Sequence, residues 1–323
     1  MGSEGKPPRA PEALDIDLKR LNPEDFVAAF GEMPSDYVAE KIRGYDFQYR
    51  SLGPAERDYR LRQIIETLYS VDLQRAGESR LNQWEAGWGA HIDRIDRDFD
   101  PVSITPGYFG KHAVVRWCQD LIAPLDRRFE ERSFFAIQDW LFDKYLRNVE
   151  NVYEFGCGTG HNLFRVRAVN PTANLWGLDW TEASQKILAK LKAVGIDDRL
   201  YGHRFDYFAP DTTFELAPGS AVYTAASLEQ TGDRFQPFIS YLLKNRPSVC
   251  IHIEPMAELL DESNLLDFLS IAYFRRRNYL SGLMGYLRAL ERDGRIIIHE
   301  ARRTMTGSLF IEGCSVVVWS PVD

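Results

Sequence analysis

From Asn151 onward, short apolar runs of strand length alternate with stretches whose apolar residues recur at helical spacing. The runs predict strands near 151–156, 174–179, 200–206, 220–225 and 248–254. Two more are expected over 295–301 and 309–319, joined by a turn around Thr306-Gly307. Helices are expected near 161–169, 182–194, 234–245 and 262–292. Such alternation predicts a parallel sheet covered on both faces. Upstream the pattern is different. From Asp15 to about Arg97 it is helical but interrupted, with Phe26, Val27 and Phe30 in one stripe and Leu61, Ile64, Ile65, Leu68 and Tyr69 in another. A long helix over 132–146 carries Phe134, Ile137, Leu141 and Tyr145 on one face, suited to packing on the sheet. The predicted organisation is a disordered stretch over 1–13, a helical region over 14–130, and an α/β domain over 131–323.

The first strand runs into Phe155-Gly156-Cys157-Gly158-Thr159-Gly160-His161-Asn162. Three alternating glycines let backbone approach a ligand closely and permit turns that side chains resist. A helix starting there points unpaired N–H groups at the bound molecule. A dinucleotide fingerprint would need its third glycine one place later, where this chain has His161. About twenty residues on, the second strand ends in Asp179, the spacing at which α/β folds set a carboxylate on ribose hydroxyls. An acid capping the helix that begins at Thr181-Glu182 is the alternative for Asp179. Trp180 either flanks a base or belongs to the core.

An acidic residue, one residue, then Gly-x-Gly-x-Gly resembles motif I of class I S-adenosylmethionine (SAM) methyltransferases, with Glu154 as the acid. The resemblance covers roughly the last 170–185 residues and implies a Rossmann-like seven-stranded sheet whose last strand inserts antiparallel, here with an N-terminal helical extension. It implies that Glu154 helps hold the methionine ammonium, directly or through water. Gly156, Cys157, Gly158, Gly160 and Asn162 would line the cofactor, and Asp179 and Trp180 would meet its adenosine. In the family an acid at the end of the third strand meets the adenine amino group. Asp206, beside Tyr207, stands there, though an Asp that merely starts a turn is the plainer alternative. No clear helix follows before Ser220, a departure from the usual layout. The resemblance also implies a helical cover before the glycine loop. Trp84, Trp88, Tyr108 and Phe109 suit either that cover or the core, and the glycine-flanked aromatics over 106–111 suit a movable lid.

The Asn/Asp-Pro-Pro-Tyr type motif of nucleic-acid amino-methyltransferases is absent after the fourth strand. A formal net charge of −8 and a pI near 5.4 point the same way, away from a phosphate-backbone binder. The expected partner is therefore a small-molecule acceptor, with neither nucleic acid nor membrane involved and a homo-oligomer left open. No window is apolar for long enough to span a bilayer. The first dozen residues lack a signal peptide's apolar core, and the four cysteines show neither zinc spacing nor a disulfide framework, so a reducing cytoplasm is expected and no metal. Glu229 and Gln230 follow the fourth strand at the sheet edge where α/β folds bind ligands. His252 and Glu254 share strand parity on an apolar strand, a costly placement unless paired or functional. They are read either as a base with its orienting partner or as a buried pair that shapes the pocket. Glu229 and Glu254 would form an acidic rim favouring an amine-bearing acceptor, while a hydroxyl served by His252 or a thioether stays open. Tyr108 and Tyr279 complete the expected acceptor side. The run Arg275-Arg276-Arg277 reads as a solvated helix face; if it faced the cleft it would favour a carboxylate or phosphate. The resulting expectation is a SAM-dependent methyltransferase, with S-adenosylhomocysteine as product. Its rivals are a SAM-binding scaffold without activity and a NAD-type oxidoreductase.

Overall fold

The computed structural model of the chain describes residues 17–96 and 98–322, so the disorder expected over 1–13 lies outside them. Strands β1 (Leu18–Arg20) and β2 (Gln48–Ser51) flank helices α1 (Val27–Phe30) and α2 (Asp36–Gly44). Helices α3 (Pro54–Tyr69) and α4 (Leu81–Gly89) follow, and then strands β3 (Val115–Trp117) and β4 (Asp120–Pro124). Helix α5 (Phe129–Tyr145) leads into the central sheet: β5 (Asn151–Phe155), α6 (Leu163–Val169), β6 (Asn174–Asp179), α7 (Glu182–Ala193), β7 (Leu200–Arg204), β8 (Ala221–Ala225), α8 (Gln236–Asn245) and β9 (Val249–Glu254). The chain closes with α9 (Leu265–Arg277), α10 (Leu283–Arg292), β10 (Ile296–Arg303), β11 (Thr306–Gly307) and β12 (Ser315–Pro321).

The central sheet has the order β10-β12-β9-β8-β5-β6-β7. Strands β5 to β9 all run parallel, and β12 lies antiparallel between β9 and β10. Its strands read as near-continuous apolar runs because both faces are covered: β8 and β9 are buried at every position. One face packs on α5 and α6 through residues such as Phe142, Val152 and Tyr223. The other packs on α8 and α10 through Phe155, Phe238 and Leu287.

Three expectations change. The N-terminal extension carries helices but also a five-stranded antiparallel sheet, β1-β2-β4-β3-β11. Its strands are three to five residues long apart from the two of β11, too short for an alternating pattern to register. The residues expected as a turn, Thr306-Gly307, form β11 and pair with β3, so the last strand of the central sheet starts at Ser315 rather than 309. The helix expected over 262–292 is two: Asn278 adopts a left-handed conformation (φ 55°) and ends α9, and Gly282 (φ 87°) precedes α10. As expected, no helix occupies 205–220.

Candidate active site

The glycine loop leaves the carboxyl end of β5 pinned to its neighbour. The N–H groups of Gly156 and Cys157 both donate to the Leu178 carbonyl, at 2.6 and 3.0 Å. The Gly158 N–H donates to Asp179 Oδ2 at 2.9 Å. All three glycines have positive φ, and space forbids side chains there: a Cβ on Gly156 would lie 2.3 Å from Ser227 Cβ, and one on Gly158 3.0 Å from the Trp88 ring. Below the loop runs a buried hydrogen-bonded chain. Gln138 Nε2 donates to Asn162 Oδ1 (2.8 Å), Asn162 Nδ2 donates to Glu154 Oε1 (2.7 Å), and the Tyr223 hydroxyl donates to Glu154 Oε2 (3.0 Å). Burial nonetheless pushes the Glu154 carboxyl up to about 8.

Over the loop lies a cavity of about 750 Å3, counted to its open mouth. Gly156, Cys157, Gly158, Asn162, Asp179, Trp180, Tyr207, Tyr108 and Gln230, all singled out from the sequence, line it. Trp84 and Trp88 form the opposite wall, stacked with ring centroids 5.2 Å apart. Trp88 also packs in part against the main hydrophobic core, so it serves both the wall and the core. Helix α4 is held over the loop by Glu85, whose carboxylate accepts from the Glu182 and Ala183 N–H groups at 2.8 and 2.9 Å and so caps α7 from outside. Pro106, from the segment expected as a cover, joins the cavity wall, and Thr159, Phe205, Phe208, Ala225, Ala226 and Ser227 line it without having been expected. No sequence signal marked Ser227; in the structure it follows Ala226, a non-glycine residue at φ 51°.

Other expected residues stand outside the wall. Glu154 and Gly160 support the loop from behind, Gly160 close against Leu188. Asp206 accepts from the Phe208 N–H at 2.8 Å, which is the turn-starting alternative. His252 and Glu254 do not pair. Fully buried, His252 meets Thr224 Oγ1 at 3.0 Å through Nδ1, and its Nε2 lies without a partner near the Phe238 and Trp319 rings. Burial drops its pKa to about 3, so it is neutral and not a basic site at physiological pH. Glu254 accepts from three successive N–H groups, those of Ser227, Leu228 and Glu229, at 3.0 to 3.1 Å. It therefore fixes the turn that carries Ser227 and Gln230 into the cavity. Glu229 sits beside Gln230 (2.9 Å) and Tyr279, and loss of solvent together with the Glu254 charge pushes it up to about 8. His161 lines the cavity with its Nε2 unpartnered, and its pKa is also lowered to about 3 by burial.

Among the described residues no cluster of three or more His, Cys, Asp or Glu is placed to hold a metal, and no helix is long and apolar enough to cross a membrane. No protein-family model matches this chain, and no curated protein matches it in sequence. Among solved structures it is similar to a geranyl diphosphate methyltransferase in complex with geranyl diphosphate and sinefungin, with 16% identity and a TM-score of 0.46 over 76% of this chain and 98% of that one. It is also similar to the N-methyltransferase NodS from Bradyrhizobium japonicum WM9 in complex with S-adenosylhomocysteine, with 13% identity and a TM-score of 0.46 over 73% of this chain and all of that one. A third is an O-methyltransferase from neocarzinostatin biosynthesis, with 14% identity and a TM-score of 0.41 over 60% of this chain; the present chain spans only 58% of its length. Likenesses this distant decide nothing about acceptor or chemistry. The strand order itself, parallel strands with the glycine loop after β5 and a final strand inserted antiparallel beside β9, is the arrangement that the resemblance of the glycine motif implies.

Proposed function

We propose that this chain is a SAM-dependent methyltransferase acting on a nitrogen or oxygen nucleophile of a small polar acceptor. The observation that carries the reading is the glycine loop tied to Asp179 and roofed by Trp88. It is a cradle that a single Cβ would fill, with a carboxylate at its edge. The residues present fit the cofactor. Loop backbone and Asn162 suit its amino-acid end, Asp179 its ribose diol, and the aromatic faces of Trp180, Phe205 and Phe208 its adenine. Bound there, SAM supplies an activated methyl group, which needs no metal.

The chain's own contribution is alignment, exclusion of water and removal of a proton. Trp84 and Trp88 close one side of the cavity, and Tyr108 with Pro106 closes another. Glu229 is the proposed general base. A carboxyl near 8 sits close to the operating pH, where proton transfer is most effective, and Glu229, itself outside the cavity wall, is joined at 2.9 Å to Gln230, which lines it. Glu254 is a positioning residue in this scheme, and His252 takes no part in proton transfer. An amine-bearing acceptor is the preferred class, because a base is then required to free the nitrogen lone pair. Calorimetric titration with SAM and S-adenosylhomocysteine comes first, followed by transfer of labelled methyl into a panel of amines, alcohols and thioethers. The reading is lost if neither compound binds or raises the melting temperature at saturating concentration.

A further inference from the structure

Arg80 is 7% exposed, yet its Nε and Nη1 have no hydrogen-bond partner. A short helical turn over Glu78–Arg80 carries it. Backbone bonding ties the preceding segment to the end of α9, with the Ala76 N–H donating to the Arg277 carbonyl at 2.7 Å. The tie brings the two arginines together. Arg277 donates from Nη1 to the Tyr273 hydroxyl (3.1 Å), while its Nε is buried and unpartnered. Each guanidinium rests on aromatic rings: Arg80 is 5.1 Å from the Trp84 centroid, and Arg277 4.9 Å from that of Tyr279. Of the described carboxylates none forms an ion pair with either. Each feels the charge of Glu229, and Arg80 also feels the like charge of Arg277. Trp84 Nε1, on the cavity wall, is a further buried donor without an acceptor.

A structural arginine in this molecule looks different. Arg116 is 2% exposed and spends its N–H groups on the Leu309, Leu266 and Phe310 carbonyls and the Ser270 hydroxyl. Buried guanidinium groups without acceptors are costly, and a shared anion removes both the missing bonds and the mutual repulsion. Planar guanidinium forks backed by aromatic faces suit carboxylate or phosphate oxygens.

We infer that the Arg80–Arg277 pair, behind the Trp84 wall of the cofactor cavity, binds an anionic oxygen group of the acceptor, a carboxylate or phosphate. This rests on the methyltransferase reading for the word acceptor, but the anion site itself does not depend on it. The acceptor class then narrows to small molecules carrying that anion at one end and the methylated amine or hydroxyl at the other, near Glu229.

The test uses the full chain saturated with S-adenosylhomocysteine, and in parallel the chain without it. Sodium acetate and sodium phosphate are titrated against sodium chloride at constant ionic strength, with melting temperature and tryptophan fluorescence as readouts. A saturable rise with acetate assigns a carboxylate, and one with phosphate a phosphate. Arg80→Gln and Arg277→Gln should each weaken that binding by about tenfold or more, with Arg80→Lys intermediate. S-adenosylhomocysteine affinity of the same variants reports whether the cofactor cavity is intact. The inference is overturned if neither anion stabilises the wild-type chain beyond chloride, or if both glutamine variants bind the anion as wild type does. Should Arg80→Gln not fold, the wild-type titration and Arg277→Gln still decide. Failure of S-adenosylhomocysteine to bind would count against the methyltransferase reading, and the titration without it would still judge the arginine pair.

Discussion

At Gly158 a methyl group would meet the Trp88 ring at 3.0 Å, on a backbone already at φ +53°. Gly158→Ala should therefore cost about 1–2 kcal/mol from the backbone alone and lower S-adenosylhomocysteine affinity at least about tenfold; calorimetry on the folded variant checks this. Glu229 invites a pH experiment. Its carboxyl holds a proton in the folded chain between about 4.5 and 8, where the unfolded chain has released it, so its contribution to stability falls as pH rises through that window. Glu229→Gln should be more stable than wild type above pH 8 and should lose the rise of turnover toward pH 8. A pH–rate profile unchanged in that variant would remove Glu229 from the chemistry. Glu254 is the opposite case. Glu254→Gln sets an amide group against backbone donors and should lower stability by about 1–3 kcal/mol in a denaturant titration. Lost turnover with undiminished stability would return Glu254 to the reaction. Sequence parity correctly put His252 and Glu254 on one face. It could not tell that their partners are Thr224 and a backbone turn, because those lie on other segments.

Among the elements, α4 shows how weak local signals are overridden. Gly87 and Gly89 lower its helix propensity, yet α4 forms because Trp84 and Trp88 stack and Glu85 grips the α7 N-terminus. Glu85→Ala should loosen that grip by about 1 kcal/mol and speed S-adenosylhomocysteine release several-fold. Stopped-flow tryptophan fluorescence would read it, since both rings line the cavity; an unchanged release rate would mean that α4 is not the cover. The central strands and their helices were legible because each buries a long apolar run. The antiparallel sheet of the extension was not, because its strands are short and its fifth comes from residues 306–307, far along the chain. The break between α9 and α10 rests on Asn278 and Gly282, whose left-handed backbone a continuous apolar stripe conceals.

Taken whole, the molecule buries several ionisable groups, and their signs compete. Burial raises Glu130 to about 7, Glu154 to about 8, Glu229 to about 8 and Glu254 to about 7, and lowers His161 and His252 to about 3. The raised carboxyls contribute most stability below about 4.5 and lose it as pH climbs toward 8. The lowered histidines contribute above about 6.5 and lose it as pH falls toward 3. Asp139 and Asp179 are raised as well, and His91 and His112 lowered, so six raised carboxyls stand against four lowered histidines and give the folded chain the larger proton uptake between pH 6 and 8. Stability should therefore be greater at pH 6 than at pH 8. Denaturant midpoints across that range check it, and a midpoint falling steadily from pH 8 to 6 would contradict it.

The chain's own order of residues determined the parallel sheet, the glycine loop after β5 and the carboxylate at the end of β6, because strand burial and positive-φ turns are local demands written in consecutive residues. Tertiary structure alone decided what surrounds that loop. The tryptophan wall, the turn held by Glu254 and the meeting of Arg80 with Arg277 join segments distant in the chain. Their energies come from burial and from hydrogen bonds left unmade, which no single stretch of sequence contains.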